Sequence, residues 1–354
     1  MKAVPLEIQW QPENSVYASP GFLASVSNEY GWLGGRNGGG ELQFILPYTV
    51  VKQMGVRMIR FRVETMLLHP GADGMEEEKA FLNDALRHFS SLGADVIIPA
   101  STNTLFRTYP DSAAAVPYGS YILDLTRTEE ELWKRLHAKH RNVIRNAQKK
   151  GVQIISGPEH AAPAYQLIAE TFKRSAMPFM DYDAFQRMMD GLGEYVKVFV
   201  ALYEGVIQGC AVIPFSRHSA YYAYGGTTSA PLTGAANLLQ WEAIRHFRDL
   251  GTRRYDFCGA RIDPDEGTKA AGLVMFKERF GAELVRGYMW KSALRPLKAA
   301  IYGLGVRLTR GGDIVDQERQ RFAKRGVREH SASGGPPMPE LSSRSSHDKS
   351  ERIT

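Results

Sequence analysis

Ala85-Leu86-Arg87-His88-Phe89-Ser90-Ser91-Leu92-Gly93 and Ala243-Ile244-Arg245-His246-Phe247-Arg248-Asp249-Leu250-Gly251 align at a single offset of 158 residues. Both stretches end an amphipathic helical pattern at a glycine suited to the left-handed position after a helix. Each leads into an apolar strand, Asp95 to Pro99 and Tyr255 to Cys258. Helix-glycine-strand punctuation also recurs by chance, but nine aligned positions followed by strands predict two copies of one α/β unit. A chain of 354 residues with 44% hydrophobic content is large enough to bury two cores, which excludes a fibrous or wholly disordered protein.

Working outward from the first copy, Ser19-Pro20 reads as an N-cap and first helical residue, opening a short helix through Tyr30. The run Gly34 to Gly40 lacks the spacing of a phosphate-binding loop and reads as a hairpin turn. Glu41 to Lys52 and Met58 to Leu67 follow as strands, Glu76 to Leu92 as a helix, and Tyr121 to Leu125 as the strand closing a unit over 1–125. Thr128-Glu129-Glu130-Glu131 has the form of a capping box. The helix it opens, ending at Gly151, is strongly cationic, with Lys134, Arg135, Lys139, Arg141, Arg145, Lys149 and Lys150.

In the second copy, Ala164 to Ser175 and Asp183 to Leu192 read as helices. A three-stranded meander follows, Val196 to Tyr203, Val206 to Phe215 and Ala220 to Gly225, turning at Glu204-Gly205. Ala235 to Leu250 is the repeat helix, Arg253 to Cys258 a strand, Leu273 to Arg279 a short helix and Leu284 to Trp290 a last strand, giving a unit over 126–292. The alternation predicts mixed α/β architecture with α+β sheets. Residues 293–310 form a basic amphipathic pattern, Leu297, Ile301, Leu304 and Leu308 with Lys298, Arg307 and Arg310; it suits a membrane interface or a helix docked on the body. Residues 311–354 lose apolar periodicity and read as a disordered tail.

The formal charge of +6 fits an acidic partner without choosing among phosphate, nucleic acid and anionic membrane. Cys210 and Cys258 have no metal-ligand spacing and read as buried free thiols, and no metal site is expected. The N-terminus lacks the apolar core of a signal peptide and no run of about 18 apolar residues occurs. A cytoplasmic protein, with at most peripheral contact to the inner face of the membrane, is the expectation.

Four segments carry a resemblance: LWKRLHAKHRNVIRNAQKKGV from Leu132, AYYAYGGTTS from Ala220, the repeat helix running into RRYDFCGA, and GLVMFKERFGAEL from Gly272. In this order and spacing they resemble the FemAB family, the peptidoglycan interpeptide-bridge aminoacyltransferases, relatives of the GNAT acetyltransferases. The resemblance implies two tandem GNAT-like acyl-CoA N-acyltransferase units with an acceptor groove between or along them. The long paired-helix arm of the best-known members is absent from this sequence. It further implies aminoacyl transfer from aminoacyl-tRNA, as co-substrate and not resident cofactor, to the amine of a lipid-linked peptidoglycan precursor, with the acceptor amine as nucleophile. The alternative is acyl-CoA-dependent N-acylation of an amino sugar or amino acid in polysaccharide or natural-product synthesis. A fold-preserving binding module for an envelope precursor is a third reading, and DNA is not an expected partner.

Amine acylation needs a neutral attacking nitrogen, oxyanion stabilisation and a proton for the leaving group, and no covalent-catalysis motif. Phe276-Lys277 occupies the family position beside the reacting groups, so Lys277 is the candidate for oxyanion or phosphate binding, against the alternative of a solvated helix lysine. Asp256, ending an apolar strand, is a candidate to orient the amine or Lys277, or else a strand-end carboxylate. Arg141 and Arg145, one helical turn apart, are expected to clamp an acidic acceptor or the tRNA acceptor end, or to form a solvated face. Tyr222 and Tyr224 are acceptor-side candidates, with Tyr221 facing the core. Asn237 lies at the start of the repeat helix, beside Thr233-Gly234-Ala235-Ala236, the nearest substitute for a pyrophosphate loop. Gly259 allows close approach to the backbone, and Arg261 opens a charged loop, to Lys269, of the kind that forms a flap.

Overall fold

The computed structural model describes residues 1–53, 55–68, 74–99 and 101–332. The first half contains β1 (Lys2–Leu6), α1 (Pro20–Val26), β2 (Glu29–Arg36), β3 (Leu42–Gln53), β4 (Val56–Phe61), β5 (Met66–Leu67), α2 (Met75–Ser91) and β6 (Val96–Pro99). The chain continues through β7 (Ala114–Asp124), α3 (Glu129–Arg135), α4 (Ala138–Lys149), β8 (Gln153–Ser156), α5 (Ala161–Arg174) and α6 (Tyr182–Leu192). Then come β9 (Val196–Tyr203), β10 (Val206–Pro214), β11 (Ala220–Tyr221), β12 (Tyr224–Thr227), α7 (Ala235–Asp249) and β13 (Arg254–Ala260). The last elements are α8 (Lys269–Glu278), β14 (Glu283–Ala293), α9 (Pro296–Arg310) and α10 (Ile314–Ala332).

Duplication is visible in hydrogen bonds as well as in sequence. After α2, Gly93 N–H bonds Ser90 O and Ala94 N–H bonds Phe89 O; after α7, Gly251 N–H bonds Arg248 O and Thr252 N–H bonds Phe247 O. Gly93 and Gly251 have φ of 76° and 75°, a conformation that costs glycine little and an L side chain more. β6 then runs parallel to β4, and β13 parallel to β11. Both halves therefore repeat meander, helix, parallel strand. One ten-stranded sheet has the order β1-β2-β3-β4-β6-β14-β7-β13-β11, with β5 on β3; a second has the order β12-β10-β9-β8.

Several expectations are corrected. The strand read at Tyr121 to Leu125 as closing the first unit is the end of the longer β7, which pairs with β13 and β14 instead of with first-half strands. The strand read from Met58 to Leu67 stops at Phe61 and resumes only at Met66. The cationic helix breaks at Leu136-His137, because His137 N–H donates to Arg279 O and its ring caps Lys139 N–H, pulling the chain off the helical path. The third meander strand divides: β11 joins β13 in the large sheet, whereas β12 joins β10 in the small one. The 311–354 stretch expected to be disordered contains α10 over 314–332, whose Val315 and Glu318 are buried; residues 333–354 lie outside the described residues.

Other local readings hold, except that the helix read through Tyr30 ends at Val26, and Glu29 and Tyr30 begin β2. Ser19 caps α1 with Pro20 at its first position, and both reciprocal bonds of the Thr128–Glu131 capping box are present. The hairpin expected at the Gly-rich run joins β2 and β3, but Gly35 lies inside β2, where a Cβ would come within 2.8 Å of the Phe81 ring. Cys210 and Cys258 are buried free thiols.

The two halves meet where α1 packs on α6 through facing glycines. A Cβ at Gly191 would lie 2.5 Å from Gly21 O, and one at Gly21 would lie 2.4 Å from Gly191 O. Backbone cannot give way as a flexible side chain does. Gly191→Ala, which in an open helix gains about 1 kcal/mol in propensity, is therefore expected to destabilise the chain by about 1–3 kcal/mol through overpacking. A thermal melt of the variant that matched or exceeded the parent would refute this close contact.

Candidate functional site

The site grows from an irregularity in β13. Its ladder with β7 runs from Asp256↔Ile122 to Gly259↔Ser120, so β13 carries one extra residue at this point. Cys258 takes up that residue with φ of 60°, a strained value for a non-glycine side chain. The bulge turns the carbonyls of Cys258 and Gly259 toward α8, where Lys277 Nζ donates to both, at 2.6 and 2.9 Å. α8 buries no residue fully, so this clamp and the contact of the Phe276 ring with His140 and Phe280 fasten it to the body. A lysine ammonium has three donors; two are engaged here, and among the described residues none accepts from the third. Burial pushes the ammonium below its ordinary pKa, opposed by Cys258 and Asp256.

Asp256 is buried, and its Oδ1 accepts bonds from the Ser120 hydroxyl and from Cys258 N–H at 2.7 Å. Burial raises its pKa, partly offset by these two donors, then by Arg254 and Lys277. Asp256 O also accepts Tyr222 N–H at 2.8 Å, at the place where the chain leaves β11 for β12. The divided strand thus opens the two sheets beside the bulge. Tyr221 is core, its hydroxyl 2.8 Å from Ser15 Oγ. Tyr222 lies half-buried under Gly225, where a Cβ would meet its hydroxyl, and Tyr224 packs edge-on to Phe179.

Lys277, Asp256, Tyr222 and Gly259 are thus brought together. The other sequence candidates take separate places. Gly259 is approached by Thr102, whose Cβ and carbonyl oxygen would lie 2.5 and 2.6 Å from an added Cβ, so the close neighbour is the chain's own loop. Phe276 faces the core. Arg141 donates to the carbonyls of Lys134 and Leu136, closing the end of α3, while Arg145 lies over the Trp133 ring at 5.3 Å. They do not form a joint clamp; Arg145 instead lines a groove of about 590 Å³ with Trp133, Trp241 and Arg245. Arg261 pairs with the buried Glu318 of α10 at 2.7 Å. Asn237 is half-buried in the first turn of α7.

Sequence reasoning missed a contribution from the first half. Arg62 and Glu64 follow β4 in the gap before β5. Burial lowers the Arg62 guanidinium to about 10, with Arg60 adding to the effect, and Tyr224 opposes it. Burial raises Glu64 to about 7, its own backbone N–H and Arg254 oppose this, and Asp256 and Glu78 add to it. The signal was the alternation Arg60, Arg62, Glu64, which sets charges on one face of an apolar run. Glu64 thus interacts electrostatically with Asp256, which in turn interacts with Lys277, and carboxyls with raised pKa near a buried lysine mark a candidate site for proton transfer. Among the described residues no group of His, Cys, Asp and Glu could hold a metal ion.

Residues 134–269 match the acetyltransferase (GNAT) domain family. A lipid II:glycine glycyltransferase of Staphylococcus epidermidis is 32% identical over 82 residues, 23% of this chain. The chain spans only 20% of that relative's length. Among solved structures, FemX has a TM-score of 0.62 at 15% identity, covering 85% of this chain and 100% of its own. The C-terminal domain of a putative lysylphosphatidylglycerol synthetase from Agrobacterium fabrum has a TM-score of 0.54 at 14% identity, covering 83% and 92%. The duplicated fold is that of FemX, and residues 134–269 are similar to GNAT acetyltransferase domains, in line with the resemblance to the FemAB family read from the sequence. No long helical arm interrupts it among the described residues, and no described helix is long and apolar enough to cross a membrane.

Proposed function

We propose that this chain transfers an aminoacyl group from aminoacyl-tRNA to an amine of a lipid-linked peptidoglycan precursor. The observation that carries the proposal is the Lys277 ammonium, clamped on the β13 bulge beside Asp256 with one donor unengaged. The acceptor amine attacks the ester carbonyl, and the third N–H of Lys277 stabilises the resulting oxyanion. Glu64 takes the proton that the amine loses as the amide bond forms. The ester bond breaks as the proton taken up by Glu64 passes to the leaving ribose oxygen, which restores the carboxylate. Asp256 holds the bulge through Ser120 and Cys258 N–H, keeping Lys277 in place. The name of the Staphylococcus relative, a lipid II glycyltransferase, supports the choice of acceptor class.

Acyl-CoA-dependent N-acylation is the second reading, favoured by the match of residues 134–269 to acetyltransferase domains. One assay separates the two. Purified chain is incubated with lipid-linked precursor and either mixed aminoacyl-tRNA or acyl-CoA, and acceptor mass is followed. The expected product is heavier by one amino-acid residue and appears only with aminoacyl-tRNA. Product from acyl-CoA alone overturns the donor, and no product with either donor overturns transfer altogether.

A further inference from the structure

The helix after the last strand is apolar on two opposite sides. Toward the body, Ala299 and Tyr302 pack on the cluster of Val56, Met58, Val96 and Ile98. Away from it, Leu297, Ile301, Leu304 and Leu308 are 77%, 62%, 60% and 79% exposed. Spaced four, three and four residues apart, these four form one narrow stripe along the outer face of α9. Lys298 and the exposed Arg307 fall on opposite margins of that stripe at about 100° per residue. Between Glu283 and Asp313 the sequence has no acidic residue and six basic ones, Arg286, Lys291, Arg295, Lys298, Arg307 and Arg310.

The helix is also held in a fixed attitude. Buried Asp95 accepts the backbone N–H groups of Leu294 and Arg295 on its carbonyl, while its carboxylate pairs with Lys298 at 3.2 Å and Arg295 at 3.4 Å. An outward apolar stripe on a fixed helix, with the exposed Arg307 on one margin and Lys298, half-exposed while paired with Asp95, on the other, suits an interface that is apolar inside and anionic at its rim. We propose that α9 docks the protein on an anionic phospholipid surface, its four aliphatic side chains entering the headgroup boundary and its cations meeting lipid phosphates.

Charge favours this occupant over others. A second copy on this stripe would bring the exposed Arg307 of each copy toward the other with no acid on the helix to answer it, and four side chains fall far short of the roughly 20–30 residues a side in a standard interface. Residues 333–354 offer only Met338, Leu341 and Ile353 as large aliphatic side chains, too few to cover the stripe. The inference deepens the reading of a lipid-linked acceptor but is tested without it.

Full-length protein is sedimented with vesicles of phosphatidylcholine alone or mixed with phosphatidylglycerol. At least tenfold more protein is expected with the anionic vesicles. Ile301→Glu/Leu304→Glu, at exposed positions that leave the fold intact, is expected to lower that binding at least tenfold, and Arg307→Gln roughly fivefold. Equal binding to both vesicle types, no binding to either, or full binding by the double variant overturns the proposal. So does a dimer, seen by sedimentation velocity without lipid, that the double variant abolishes. Failure of every transfer assay with vesicle binding intact would remove the proposed activity and leave the docking surface standing.

Discussion

Replacing Lys277 with alanine or methionine is expected to lower kcat by about 10²- to 10³-fold, the range typical of removing one preorganised donor from an oxyanion site. The side chain has two tasks, and the variants separate them. Its bonds to Cys258 O and Gly259 O fasten α8 to the bulge, so either variant also loses part of that attachment. Loss of those bonds shows as a lower melting temperature. Loss of the third donor shows in kcat with KM for the acceptor nearly constant, because an oxyanion exists only after attack has begun. Lys277→Arg keeps the charge, but a planar guanidinium cannot reproduce a compact ammonium bridging adjacent carbonyls, so it is expected to rescue little. Near-normal kcat in Lys277→Met, with a lowered melting temperature, would reduce this residue to a structural clamp.

The parts of the fold legible in the sequence were those written in local chemistry. The Ser19-Pro20 start of α1, the Thr128 capping box, the Glu204-Gly205 turn and the glycines after α2 and α7 each satisfy backbone groups within a few residues. Local pattern was enough to find them. What remained hidden depends on distant partners. Nothing in Ala220 to Gly225 says that β11 will pair with β13 while β12 pairs with β10, since that division is set by two different sheets. The break at His137 comes from a carbonyl at Arg279, far along the chain. Of the candidate site, Lys277 is singled out by the resemblance and Asp256 by its place at a strand end, whereas Arg62 and Glu64 lie in a segment that reads as plain strand. Arg141 and Arg145 share a face by spacing, yet the end of α3 supplies carbonyls that draw one of them away. The aliphatic spacing of α9 was legible, but which side faced the body was not.

Glu64→Gln tests that hidden contribution through two independent readouts. With its folded pKa raised from about 4.5 to about 7, the native state binds more protons than the unfolded state between those values. Native stability therefore falls as pH rises through that window and levels off above it. Glutamine has no proton to lose, so the variant's stability is expected to be flatter from pH 5 to pH 8. At pH 8 it should exceed the parent by up to about 3 kcal/mol, from roughly 1.4 kcal/mol per pKa unit, while the two nearly coincide at the acid end. Catalysis should move the other way. A carboxylate titrating near neutrality is well matched to taking a proton from an attacking ammonium or amine. The parent's kcat/KM is thus expected to rise with pH to a plateau above about 7, and the variant to lose about 10²-fold or more on that plateau. Parallel stability curves would show that Glu64 is not held protonated by its surroundings. Divergent stability curves with unchanged turnover would make it a buried structural acid and leave the amine's proton to water or to the leaving oxygen.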